Sequence, residues 1–357
     1  MKTLRLSPDD NVVIALTDLA PGTEVGASGT RVRAPVPAGH KLATGPIPKG
    51  APVLKYGHAI GVASRDIHPG DPVHTHNLEM GDPARRDARR SRVWSPGDPR
   101  DETPPQFEGI VRDDGRVATR NFIGVLPVSG CAATVSRWIS DSASRGLLPA
   151  FPNVSGVAAL SHASGCGMAP HGRGFEHLQR CLAGYARHPN FGGVLLVGLG
   201  CEVNQTDLLL ENQHLQGTET LRTLSIQEAG GTEAAVERGA GMVREMLQDV
   251  NRVQRQSVSA SHLVIGLECG GSDAYSGITA NPALGAAADR VVRCGGTVIL
   301  SETPEIYGAE HLLVHRAARP DVAGRLVDLI RWWEAYTALH GAGIDNNPTP
   351  GNKAGGL

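Results

Sequence analysis

Hydrophobic and polar positions follow three different rhythms along this chain. In residues 1–80 the apolar stretches are short, starting with Asn11-Val12-Val13-Ile14-Ala15-Leu16, and they are broken at Pro21-Gly22, Pro37-Ala38-Gly39, Pro48-Lys49-Gly50 and His68-Pro69-Gly70. Short strands punctuated this way predict a compact β module of barrel or clip type. Residues 81–106 lose apolar content: an arginine-rich run from Gly81 to Arg92 leads into Pro96, Pro99, Pro104 and Pro105. That composition predicts a linker. From Phe107 onward, short apolar runs alternate with helical stretches. Phe122–Val128, Gly156–Leu160, Gly193–Gly198, His262–Gly266 and Gly296–Leu300 read as strands, with helices around Trp138-Ile139, Ala234–Leu247 and Val322–Ala335. The prediction is an α/β domain over 107–357, with a mostly parallel sheet and flanking helices.

In such a sheet the carboxyl ends of the strands are where ligands bind. Four of the predicted strands end in a cysteine beside glycine: Cys131, Cys166, Cys201 and Cys269. Thiolates gathered there would suit zinc or an iron–sulfur cluster, whereas small cysteines also pack well under tight turns. The stretch Gly266–Gly285 is the richest of these ends, carrying Glu268, Cys269, Ser272, Asp273 and Tyr275 among glycines that admit close approach to the backbone. Glu202, Glu302 and Glu305 supply further carboxylates, and His162 and His171 supply bases. In the β module, His40 follows Gly39, and His74 and His76 stand two apart, which on a strand places both imidazoles on one face for one ion.

Composition narrows the function classes. With 357 residues, a net charge of −2 and no apolar run near a membrane span, the chain has no basic field for nucleic acid and no membrane segment, so a cytoplasmic location is expected. Six cysteines are too sparse for a disulfide framework and are expected as thiols.

Longer motifs add a resemblance. Glu108–Asn121, His162–Gly167, Gly198–Glu202, Gly266–Gly285, Ser301–Glu305 and Asn347–Gly356 resemble the altronate/galactarate dehydratase family. Gly39-His40-Lys41, Lys55-Tyr56-Gly57 and Val73–Asn77 resemble its amino-terminal SAF-type (β-clip) domain. The resemblance implies a hydro-lyase that converts a hexonate or hexarate to a 2-keto-3-deoxy sugar acid with Fe(2+) or Mn(2+). The expected ligands are His40, His74 and His76. His162, Glu268, Asp273 and Glu302 are the acid and base candidates, and Arg116, Arg120, Ser272 and Lys353 the substrate-binding ones. Family members of this type run beyond the point matching Leu357, so the family's carboxyl-terminal region is expected to be lacking, or supplied by a separate polypeptide or within a homo-oligomer. A lyase acting on a sulfonated hydroxy acid and a noncatalytic sugar-acid-binding subunit are the alternatives.

Overall fold

A computed structural model describes residues 2–26, 29–81, 103–145, 150–346 and 348–357. The predicted linker, with its arginine run, lies almost entirely outside the described residues, although Gln106, assigned to it, already belongs to a strand. The chain forms two compact units: residues 104–263 make one, and residues up to 103 combine with 264–357 to make the other.

The amino-terminal part is built of short antiparallel strands, as its turn spacing predicts. β1 (Thr3–Leu4), β2 (Val12–Ala15), β5 (Lys41–Ala43) and β8 (Pro72–Val73) form one sheet in the order β1-β2-β5-β8. β3 (Glu24–Val25) pairs with β4 (Thr30–Arg31), and β6 (Pro52–Lys55), β7 (His58–Ala63) and β9 (Leu78–Glu79) form a third set. Successive side chains of a strand point to opposite faces. Val12 and Ala43 accordingly enter one apolar cluster, with Val53, Ala63 and Ile67, while Val13 and Leu42 enter another, with Leu19, Val32 and Val36. Two matching corners brace the module: Leu19 bridges Val36 while Asp18 accepts the Ala38 N–H, and Ile47 bridges Ile67 while Asp66 accepts the Lys49 N–H.

Residues 104–263 contain the predicted parallel sheet. β10 (Gln106–Val111) lies between β11 (Val117–Ala118) and β16 (Gln256–Ser259) in a separate antiparallel sheet. β12 (Phe122–Pro127), β13 (Gly156–Ala159), β14 (Phe191–Gly198) and β15 (Leu221–Ser225) are parallel, in the order β13-β12-β14-β15. Ile123, Val125, Leu195 and Val197 pack on one side against α1 (Ala133–Ser144) and α4 (Thr232–Val250), through Ile139, Val243 and Met246. Leu126, Val194 and Leu196 pack on the other against α2 (Arg173–Ala186) and α3 (Thr206–Asn212), through Leu182 and Leu209. Both faces are covered, which is why these strands read as continuous apolar runs.

The last two predicted strands do not join that sheet. β17 (Val264–Leu267) and β18 (Thr297–Leu300) form a two-stranded parallel pair in the other unit, accompanied by α5 (Ala280–Arg293), α6 (Glu310–Val314), α7 (Pro320–Leu339) and α8 (Pro350–Ala354). The expectation of one sheet over 107–357 is corrected on this point. Apolar runs alone do not reveal which strands hydrogen-bond to which. No described helix is long and apolar enough to cross a membrane.

Asn121 closes the amino end of β12. Its side chain accepts from Arg112 at 2.9 Å and donates to the Asn153 and Val250 carbonyls at 2.8 and 2.9 Å, fully buried. Asn121→Ala removes three hydrogen bonds of a fully buried side chain at once and is expected to lower the unfolding free energy by about 2–3 kcal/mol. Urea denaturation of the purified chain measures it.

Candidate functional site

The amino-terminal module and the carboxyl-terminal tail meet around two imidazoles. Gly39 has φ +84, and a Cβ there would lie 2.5 Å from the Ala274 Cβ, so only glycine lets this turn sit against the glycine-rich loop. The following His40 and the half-buried His74 stand edge to face, with ring centroids 5.4 Å apart. His74 Nε2 donates to the Lys353 carbonyl at 2.6 Å, and His40 Nδ1 lies 3.4 Å from the Ala38 carbonyl. Each ring therefore turns one nitrogen toward a backbone carbonyl, a contact that orients metal-binding histidines. Among the described residues the other nitrogen of each has no hydrogen bond. His76 is exposed, and the strand expected through His74 and His76 is a turn: the His74 carbonyl accepts from the Asn77 and Leu78 N–H groups. Shared-face geometry from strand alternation therefore does not apply to this pair.

Lys41 is the functional candidate that sequence reasoning missed. It is only 6% exposed, and its Nζ donates to the Gly356 carbonyl at 2.9 Å. Burial, followed by the charge of Lys55, pushes its ammonium down to about 8. Burial also holds Lys55 below the ordinary lysine range, with Asp10 opposing. Burial likewise lowers His74; the Lys353 carbonyl opposes this, and the charges of Lys41, His40 and His76 add to it. Nearby, the Tyr56 hydroxyl donates to the Gly277 carbonyl at 2.5 Å. Lys41 opens β5, whose three residues are all buried, and the sequence carries no signal of that burial.

On the far side of the tail, a cleft of about 260 Å³ is lined by Ser272, Glu305, Tyr307, Asp345 and Leu357 among others. Tyr307 donates to Glu334 at 2.9 Å, and burial with that hydrogen bond pushes its phenol up to about 12. Glu302 ties the ends of β17 and β18 together: its carboxylate accepts the Cys269 N–H at 2.6 Å. It does so with φ 61, a left-handed conformation that costs a non-glycine residue energy and recurs at functional sites. Asp273 caps its own loop by accepting from the Tyr275 and Ser276 N–H groups, both at 2.8 Å. Ser272 Oγ lies 3.7 Å from Cys269 Sγ, and Glu268 is exposed. Lys353 enters the site through its carbonyl.

The remaining candidates belong to the unit of residues 104–263. Arg116 is paired with Asp114 and donates to the Arg187 carbonyl, and Arg120 is exposed just before β12. Both therefore sit at the amino end of that strand, about 20 Å of strand away from its carboxyl end. His162 has both nitrogens engaged: Nε2 with the Pro127 carbonyl at 2.9 Å, and Nδ1 accepting the Ser164 N–H at 3.2 Å. Such a ring braces its loop and has no free lone pair with which to take a proton.

The donor chemistry of His40 and His74 fits a transition-metal ion such as iron or manganese. Among the described residues, no three His, Cys, Asp or Glu side chains are grouped to hold one ion by themselves.

Comparison with known proteins agrees along the whole chain. The family model for the altronate/galactarate dehydratase SAF domain matches residues 1–81, that for the D-galactarate dehydratase/altronate hydrolase second domain 109–251, and that for the D-galactarate/altronate dehydratase C-terminal domain 260–357. The last match corrects the expectation that the carboxyl-terminal region is lacking. Altronate dehydratase of Bacillus subtilis (strain 168) is 34% identical over 366 residues, covering 99% of this chain and 70% of that protein. Galactarate dehydratase (L-threo-forming) of Escherichia coli (strain K12) is 36% identical over 369 residues, covering 99% and 69%. The (2R)-sulfolactate sulfo-lyase subunit beta of Chromohalobacter salexigens is 30% identical over 253 residues, covering 70% and 61%. Three family models laid end to end, joined by relatives aligned across nearly every residue, make this chain a member of the altronate/galactarate dehydratase family.

Proposed function

We propose that the chain dehydrates a hexonate or hexarate of the altronate or galactarate type to a 2-keto-3-deoxy sugar acid, with the chemistry carried by the residues gathered at the tail. The observation that carries this reading is the convergence of His40, Lys41 and His74 on the 353–356 backbone, in a chain aligned throughout with sugar-acid dehydratases. The reaction breaks the C–H bond beside the carboxylate and the C–O bond of the neighbouring hydroxyl. Water leaves, and the resulting enol becomes the 2-keto acid. Lys41, its ammonium lowered to about 8, is the base we assign: near neutral pH part of it is uncharged and able to take the proton. Lys55, which acts on Lys41 electrostatically, draws the substrate carboxylate. Glu302, Asp273 or Glu268 gives the leaving hydroxyl its proton, and Ser272 and Lys353 bind hydroxyl groups. A divalent iron or manganese ion held by His40 and His74 would supply Lewis-acid stabilisation of the charge that forms on the carboxylate, and His76 would join them only by moving from its exposed turn. A cytoplasmic setting and assembly with a further polypeptide or a second copy accompany the proposal.

The sulfo-lyase relative favours a second reading, expulsion of sulfite from a sulfonated hydroxy acid. A panel of altronate, galactarate and sulfolactate, assayed for 2-keto acid and for sulfite, separates the two. The expected result is keto acid from a hexonate or hexarate without sulfite from sulfolactate; the reverse pattern removes the dehydratase proposal.

Lys41→Met is expected to reduce turnover at least a hundredfold and to erase the limb of the pH–rate profile that rises through about 8. The same shift predicts a stability effect. Below pH 8 Lys41 is charged in both folded and unfolded chains, and the burial penalty is complete. Between about 8 and 10.5 the unfolded chain binds more protons, so wild-type stability rises relative to Lys41→Met, by on the order of 3 kcal/mol across the window. Denaturation series at several pH values test the sign. Replacing His40 and His74 together with Ala is expected to abolish manganese binding while circular dichroism stays unchanged; retained manganese binding with turnover refutes these ligands.

A further inference from the structure

A second chemical centre lies in the other unit, where three neighbouring parallel strands end. β12 is central, with β13 and β14 on either side, and the loop after each carries one cysteine: Cys131, Cys166 and Cys201. Backbone bonds zip these loops together. The Gly130 N–H donates to the Ser164 carbonyl at 2.7 Å, and the Val203 and Asn204 N–H groups donate to the Cys166 and Gly165 carbonyls, both at 3.0 Å.

Buried polar side chains fix the same loops. Glu202, 2% exposed, accepts the Leu199 and Gly200 N–H groups at 2.9 and 2.7 Å. Fully buried Asn204 donates to the Val128 carbonyl at 2.8 Å and accepts from Gln179. His162 is bolted at both nitrogens. Cys131, Cys201 and Glu202 all lie near enough to Cys166 to act on it electrostatically. At the foot of the Cys131 loop, the Ser129 hydroxyl is completely buried and has no hydrogen-bond partner.

The packing explanation for these cysteines fails, because Cys131 and Cys201 are exposed and Cys166 is half-buried. A single zinc ion is also a poor fit. Its bonds of about 2.3 Å would draw the sulfurs tightly together, whereas three adjacent strand ends span roughly 10 Å. Among the described residues no grouping suited to one ion is present. Several iron atoms bridged by sulfide span a wider gap. Three thiolates are one fewer than the four that such a cluster takes from protein. We infer that Cys131, Cys166 and Cys201 bind a [4Fe–4S] cluster with one iron left open to an oxygen ligand of a small molecule.

Binding is ligand exchange at three irons: each protein thiol gives its proton to a thiolate leaving a preformed cluster as its sulfur takes that place on iron, the fourth small thiolate stays until an oxygen ligand displaces it, and no electrons move. The inference does not depend on the sugar-acid reading. The test is anaerobic incubation of the full chain with a synthetic [4Fe–4S] cluster carrying four small thiolates, followed by gel filtration and assay of iron, acid-labile sulfide and visible absorption.

The expected result is about four irons and four sulfides per chain. Cys131→Ser, Cys166→Ser and Cys201→Ser should each retain less than about a tenth of that, while Cys181→Ser, Cys294→Ser and His74→Ala retain all of it. The electron paramagnetic resonance signal of the reduced cluster should shift on adding a small hydroxy acid to the wild type. Wild-type protein free of labile sulfide, or one zinc or iron per chain without sulfide, overturns the inference, and the wild-type measurement decides even where a variant misfolds. So does undiminished cluster in folded cysteine variants, or a spectrum indifferent to hydroxy acids.

Discussion

A parallel strand buried on both faces has no place for polar chemistry except its ends. In residues 104–263 that constraint is complete: β12 and β14 send alternate side chains into two apolar layers, and every polar group of consequence lies beyond the strand termini. The amino end of β12 went to structure, through Asn121 and Arg112. The carboxyl end went to three short loops whose backbones hydrogen-bond to one another. Rigid loops of this kind hold side chains in place before a ligand arrives, the condition under which donor groups bind most effectively.

The other unit solves the same problem with a different material. Its β module has two small apolar clusters and many tight corners, and the carboxyl-terminal tail docks where β5 and β8 lie side by side. Docking takes place through backbone carbonyls accepting from Lys41 and His74. A carbonyl is an acceptor of fixed direction, so it orients an imidazole and steadies an ammonium without adding a full charge. The lysine is thereby kept in a dry setting where its proton is easily lost.

Much of the fold was legible in the chain because apolar period and turn chemistry are local signals. The β module, the strands β12, β13, β14, β17 and β18, and the helices α1, α4 and α7 all lie where hydrophobic runs and Gly/Pro breaks put them. The assignment of β17 and β18 to a separate pair was not legible, since pairing is a long-range property. Short, mostly polar strands such as β16 left no apolar signature. At the site, His40 and His74 could be named from their residue type. Their arrangement could not, because a strand was assumed where Asn77 makes a turn. Lys41 escaped notice because nothing in a sequence says that a lysine is buried. Arg116 was named for its guanidinium, whereas Asp114, two residues away, had already claimed it.

The unit that holds the two imidazoles is made from two segments, residues up to 103 and 264–357, and the Lys41–Gly356 hydrogen bond joins residues 315 positions apart. Closing so long a loop is entropically costly but grows only slowly with length. Timing is the larger matter. During synthesis the β module emerges first, and the 104–263 unit follows with all its own partners present. The pocket around Lys41 has no floor until residues 353–356 leave the ribosome. Until then this lysine is wet and fully charged, so its lowered proton affinity arises only once two segments far apart in the sequence have met.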